Sequence, residues 1–247
     1  VIKKDTLIAL AALGIIVGSV VVFYHFERNR RRLDSAMRIA YLTPGGGTPR
    51  TIEALVSAIA IYEEQIERHL RDAVQTRAYW TILGRRLAEQ GMHRDAVYAF
   101  EQAINFNSED PALFFFLGES ARIVALSALE FPGGPVSERD SYFRLAEAAF
   151  LRAIELDPTY GRPRFSLGFM YTFHLDRPRD AIPQMELFMQ ISPRDVMGMF
   201  VLARAYFMTE QFAPARELYE RILSMTSDPS VRERAEAHLD LVRSFSL

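Results

Sequence analysis

The sequence contains no cysteine. Disulfide staples, thiolate metal sites and thiol nucleophiles are therefore excluded. Charge of one sign is also lacking. Lys and Arg total 29 against 31 Asp and Glu, a formal net charge of −2, so no global field draws nucleic acid or an acidic polymer, and no nucleic-acid partner is expected. The five histidines (His25, His69, His93, His174, His238) are dispersed, and no two stand at the spacing that places a pair of metal ligands on one helical face. Gly45-Gly46-Gly47-Thr48 lacks the lysine and spacing of a phosphate loop. Acidic pairs such as Glu63-Glu64 fall on polar helix faces, where solvation is their ordinary role. Nothing here assembles a catalytic centre, and the sequence predicts no enzyme, no cofactor and no metal.

What the chain does contain is a repeat. A pattern of a small residue, a large apolar one and then a small or apolar one returns at Ala96–Phe100–Ala103, Ala146–Phe150–Ala153, Ala181–Met185–Phe188 and Ala215–Tyr219–Ile222. Each copy follows a companion motif: Trp80-x-x-Leu83-Gly84, Phe114-x-x-Leu117-Gly118, Arg164-x-x-Leu167-Gly168 and Met199-x-x-Leu202-Ala203. Offsets of three and four mark helices, so each repeat is a helix pair. The small residues of the companion motif sit where the two helices must approach closely. Pro158 and Pro193 follow second helices, where proline ends a helix without breaking one. A fixed period of this kind identifies an array in place of one closed core.

These residues resemble the tetratricopeptide repeat. The first copy carries Trp80, Leu83, Gly84, Ala96, Phe100 and Ala103 at the family's spacings, with Leu87 where tyrosine is usual; Tyr171 and Tyr206 restore that tyrosine later. Arg164 stands where the family has a large apolar residue, so the first turn of the third repeat is expected to pack loosely. The resemblance implies an all-α fold, a right-handed α-solenoid of about four helix pairs; the residues outside it add a C-terminal capping helix and one preceding transmembrane helix, as argued below. The expected organisation is an anchor at 1–26 (span about 7–26), a basic stem and Gly/Pro linker at 27–50, and an amphipathic helix at 51–76. Four repeats follow at 77–110, 111–160, 161–195 and 196–229, then a cap at 230–247.

Three segments depart from the regular period. Companion motifs start 34 residues apart, then 50, then 35, so the second repeat holds 50 − 34 = 16 extra residues. Pro132-Gly133-Gly134-Pro135 breaks a helix there and Ser137-x-x-Asp140 starts another, which predicts lengthened helices joined by a tight, protruding loop. After the last repeat, Asp228-Pro229 forms a helix start, and Val231, Ala235, Leu239 and Val242 make one apolar face for a terminal cap. Upstream, Ile52, Leu55, Ile59, Tyr62 and Ile66 define an amphipathic helix expected to seal the front end as a half-repeat.

Leu7 to Phe26 is an apolar run free of Asp, Glu, Lys and Arg, and twenty residues rise about 30 Å as a helix, the thickness of a hydrocarbon core. It reads as a retained single-pass anchor in a bacterial inner membrane, because it is longer than the apolar region of a signal peptide and ends in His25-Phe26-Glu27. Arg28, Arg30, Arg31 and Arg32 outnumber Lys3 and Lys4, which favours the repeats in the cytoplasm by the positive-inside rule; the N-terminal lysine pair argues for the periplasm. Gly14-x-x-x-Gly18 suits close helix contact in the bilayer.

By the resemblance, certain first-helix positions line a concave groove. They are Arg85 in repeat one; Phe115, Glu119 and Arg122 in repeat two; Arg162, Phe165, Phe169 and Phe173 in repeat three; and Met197, Phe200, Arg204, Phe207 and Met208 in repeat four. An exposed aromatic and methionine surface marks a partner site, although the same rings would also serve packing between repeats. Thr81 and Arg85 replace the basic-clamp pair that some family members use for a chaperone's carboxylate terminus. The expected function is a membrane-tethered scaffold for protein partners, themselves membrane-associated, held to the bilayer through its N-terminal helix. The alternative is a building block of a larger symmetric envelope assembly such as a motor collar, a homo-oligomer contacting neighbours through the hairpin and flanks.

Overall fold

The computed structural model describes residues 52–128 and 138–245. The expected anchor with Gly14 and Gly18, the basic stem, and the Pro132–Pro135 loop lie outside them. Among the described residues every regular element is helical: α1 Ile52–Glu89, α2 His93–Phe106, α3 Pro111–Ser127, α4 Glu138–Leu156, α5 Gly161–Phe173, α6 Pro178–Ile191, α7 Val196–Met208, α8 Phe212–Met225 and α9 Pro229–Phe245. No helix of the described residues is long and apolar enough to cross a membrane.

The chain divides into two segments at Asp72/Ala73. Of the first, the structure describes the opening turns of α1. Ile52, Leu55, Ile59, Tyr62 and Ile66 are exposed there, and α1 runs without a turn through positions 76 and 77.

The second segment is an α-solenoid. The end of α1 meets α2 through Gly84 against Phe100 and Trp80 against Tyr98. Beyond it α3 pairs with α4, α5 with α6, and α7 with α8; the first helices α3, α5 and α7 also touch one another in succession, and α9 closes the row against α8. The repeat explains the crossings. A Cβ on Gly84 would lie 2.7 Å from the Phe100 ring, one on Gly118 would lie 2.6 Å from that of Phe150, and one on Gly168 would collide with Met185. The large residue of each second helix thus fills the space that the glycine of the first leaves open. Phe100, Phe150, Met185 and Tyr219 are buried accordingly. Leu117, Leu167 and Leu202 are buried as well, whereas Leu83 is exposed in the repeat that opens the array. The helices of repeat two are 17 and 19 residues long, those of repeats three and four 13 or 14.

Turns and caps recur with the same logic. Residues with left-handed φ close the first-to-second-helix turns: Gly91 at 78°, Asp176 at 50° and Glu210 at 62°. The chain reverses there through Met92 N–H to Leu87 O (2.9 Å), Arg177 N–H to Tyr171 O (2.9 Å) and Gln211 N–H to Tyr206 O (2.8 Å), which satisfies carbonyls a helix end leaves open. Asp110 caps α3 and Asp195 caps α7 by accepting from Ala112 N–H and Gly198 N–H. Asp228 accepts from Ser230 N–H at 2.9 Å, Ser230 Oγ at 2.7 Å and Val231 N–H at 3.3 Å. The cap α9 buries Ala235, Leu239 and Val242.

Arg164 corrects the expectation of a loose turn. It is only 8% exposed; its Nε and Nη2 donate to Pro158 O at 3.3 and 3.2 Å and its Nη1 to Gln184 Oε1 at 3.1 Å. The guanidinium ties the start of α5 to the loop before it and to α6. A buried charge requires such partners, and here they take over the work of an aromatic ring.

Candidate functional site

The row of first helices carries the candidate surface, and the neighbour that follows each helix decides what stays open. Phe115, expected to line the groove, is only 5% exposed. Its ring meets Phe150 and Tyr160 at centroid distances of 6.3 and 5.6 Å, and the Arg162 guanidinium lies 4.8 Å above it. Phe200, 9% exposed, is held the same way by Tyr219 (6.0 Å), His238 (6.3 Å) and the Arg234 guanidinium (4.5 Å). Both rings belong to the packing between repeats and do not line an open groove. In each case an arginine from the helix that follows the pair covers the ring face, a cation–π contact. Phe165 takes the corresponding position in repeat three and leans on Phe188 at 5.3 Å.

Repeat three keeps its outer rings. Phe165, Phe169 and Phe173 form a ladder along α5, with centroids 6.1 Å and then 4.7 Å apart. Phe165 and Phe169 are half-buried and Phe173 is 47% exposed. Residues four apart share a helix face, so the ladder follows from the sequence spacing. His174 turns back against Phe169 (5.5 Å) and Phe143 (6.0 Å). Burial, together with the nearby Arg122 and Arg139, pushes the His174 imidazole below the usual histidine range. Arg122 Nη2 donates to Glu119 at 2.8 Å, and both side chains are half-buried.

Repeat four is closed by the cap. Phe207 lies 5.6 Å from Phe245 and 5.8 Å from Phe212, with Arg204 at 5.5 Å over its ring. The last turn of α9 thus occupies the surface that Phe207 was expected to offer. Met197 is exposed at the start of α7 and Met208 is half-buried at its end. Arg85 and Arg162 are exposed; Arg85 reaches over Phe116 at 5.8 Å and Arg162 over Phe115.

Two tyrosines of the repeat motif stitch consecutive repeats. Tyr171 OH donates to Glu147 Oε1 and Tyr206 OH to Glu186 Oε1, each at 2.6 Å. Burial and the accepting carboxylates raise both phenols well above the usual tyrosine range. Arg177 completes the first pair, binding Glu147 at 3.0 Å and lying 4.5 Å from the Tyr171 ring.

The architecture is matched among solved structures. TTC0263, a TPR protein of Thermus thermophilus, gives a TM-score of 0.53 at 17% identity, over 74% of this chain and 89% of its own. YrrB, described as a TPR protein with an unusual peptide-binding site, gives 0.53 at 20% identity, over 75% of this chain and 85% of its own. The chain has the tetratricopeptide-repeat fold. MamA shares the TPR architecture at a TM-score of 0.51 and 16% identity, covering 78% of this chain and 92% of its own. A scan against protein-family models finds no match, and neither does a search of curated proteins.

Several residues of this TPR array were not anticipated from sequence: Phe116, stacked on Phe100 at 5.6 Å; His174; and the cap residues Arg234, His238 and Phe245. Phe245 had a signal, since it ends an apolar face three residues after Val242. The two cap side chains that cover Phe200 had none, because they lie on the face of α9 that looked polar.

Proposed function

We propose that the protein is a scaffold that binds a protein partner on the first-helix surface of repeat three, with no reaction of its own. The Phe165–Phe169–Phe173 ladder carries this reading. It is continuous, it rests through the half-buried Phe165 and Phe169 on the core cluster of Met185, Phe188, Val201 and Leu202, and it ends in the exposed Phe173. Exposed aromatic rings with arginines nearby are the residues that anchor partners. Peptide binding is part of the description of YrrB, a protein of the same fold, which supports a peptide segment as the bound element. Arg85, Arg122, Arg162, Arg204, Glu119, Met197 and Met208 would flank that segment. The buried Phe115 and Phe200 and the covered Phe207 would act through the fold.

We further propose membrane tethering through Leu7–Phe26, supported by the length and apolarity of that run, which makes a membrane-associated partner the natural one. The envelope building-block reading is favoured by a different observation, the lengthened α3 and α4 leading to the Pro132–Pro135 loop. Replacing Phe169 and Phe173 by serine tests the first reading. Membrane proteins that co-purify with the intact chain should be lost while the helical signal and melting temperature hold; undiminished recovery would refute the surface. Deleting 130–136 should leave that recovery intact and abolish a larger assembly only if the building-block reading is right.

A further inference from the structure

The opening turns of α1 present a second apolar surface, separate from the ladder of repeat three. Ile52, Leu55, Val56, Ile59, Tyr62, Ile66 and Leu70 are all exposed, by 39% to 76%. At 100° per residue they share one face. Steps of seven (Ile52, Ile59, Ile66) and of eleven (Leu55 to Ile66, Ile59 to Leu70) drift about 20° in opposite senses around a helix, so the stripe runs straight along it. From Ile52 to Leu70 it is about 27 Å long. A contiguous apolar stripe of this length, left facing water, is a contact surface.

The flanking charges discriminate between occupants. Residues 52–72 hold Glu53, Glu63, Glu64, Glu67 and Asp72 against Arg68 and Arg71, a net of 2 − 5 = −3. An in-plane membrane helix needs Lys and Arg beside its apolar face, so an anionic lipid surface is disfavoured. Glu63 and Glu67 lie along one edge of the stripe, and Gln65 and His69 along the other. In a parallel pair of identical helices unlike edges face each other; in an antiparallel pair each edge meets itself, which would set the glutamate edges together. The seam of Ile52, Leu55, Ile59, Tyr62 and Ile66 holds no charged residue, Glu63 lying beside it between Leu70 and Val56, and is complementary to its own copy across a two-fold axis.

We propose that the Ile52–Leu70 stripe pairs with the same stripe of a second copy of this chain as a parallel, in-register two-helix coil. The absence of native cysteine allows a direct test in the full chain in membranes. Ile59→Cys and Ile66→Cys should each form a covalent dimer on mild oxidation, at roughly ten times the yield of Arg68→Cys on the far face, because only facing positions reach disulfide range. Adding Ile59→Asp to the Ile66→Cys chain should cut its cross-link by about ten-fold or more, since two carboxylates would be buried face to face, while circular dichroism stays unchanged. Equal yields at all three positions would overturn the pairing. So would a cross-link indifferent to Ile59→Asp, or stripe cysteines that form no dimer and are shielded from a soluble maleimide, the signature of cover by another part of the chain.

Discussion

Repeats three and four begin from the same plan and end with different surfaces. Each places large apolar side chains along the outer edge of its first helix: Phe165, Phe169 and Phe173 on α5, and Met197, Phe200, Phe207 and Met208 on α7. On α7 the next helix covers the rings, Arg234 and His238 over Phe200 and Phe245 over Phe207. On α5, Phe165 leans on Phe188 of its own pair partner α6 and Phe173 stays open. The same residue type is therefore structural in one repeat and available in the other. A first-helix position of the solenoid acquires its role from the helices packed around it.

Substitutions of aromatic rings on the two first helices separate the repeats most strongly. Phe200→Ala should lower unfolding stability by about 3–5 kcal/mol, the range for emptying a buried phenylalanine site, and Phe173→Ala by no more than about 0.5 kcal/mol, as for a surface site; thermal denaturation of both variants checks this. Similar losses would erase the distinction. Arg164 opens repeat three where Met199 opens repeat four. Arg164→Ala should cost about 1–3 kcal/mol by stranding the Pro158 carbonyl and Gln184, and denaturant titration reads it. A variant as stable as the parent would show that the guanidinium does not tie the turn.

The turns offer a gain. Glu210 holds φ at 62°, a conformation that costs a residue with a Cβ about 1–2 kcal/mol. Glu210→Gly should therefore raise the melting temperature, by roughly 1 kcal/mol of stability after glycine's extra chain entropy is subtracted. Gly91, at the equivalent turn of repeat one, already uses this solution.

The smallest effect is on pH dependence. His174 and His238 are both depressed by burial, with Arg122 and Arg139 beside the first and Arg204 and Arg234 beside the second. The unfolded chain then binds more protons than the folded one below the ordinary histidine range, so stability is full above about pH 6.5 and falls as the pH drops through the depressed values. His238→Phe should flatten part of that slope while keeping the stacked ring beside Tyr219, 5.5 Å away in the parent. Chemical denaturation at about pH 7 and pH 5, on either side of the ordinary histidine range, measures the difference.

Much of the fold was legible because the repeat encodes its own contacts. Gly84 and Gly118 predict close crossings, and the Phe100 and Phe150 rings fill them. Asp228 and Pro229 predict the start of α9, and the apolar face from Val231 to Val242 predicts how it packs. The site was less legible, because first-helix positions are shared between groove and inter-repeat packing. Phe115 and Phe165 hold the same motif position, yet Phe115 is buried under Phe150, Tyr160 and Arg162 whereas Phe165 is half-buried. Arg164 misled for a related reason: a residue-type rule sees a charge at an apolar position, whereas the carbonyl that satisfies it lies six residues away in the loop.

The central claim is that the ladder of repeat three is the surface a partner meets. A photo-crosslinking phenylalanine analogue placed singly at Phe173, and as a control at the exposed Leu151 on the second helix α4, tests it in intact membranes. The account predicts a discrete cross-linked protein at position 173 that disappears when Phe169→Ser is added, and none at position 151. No adduct at 173, or the same adduct at both positions, would contradict it.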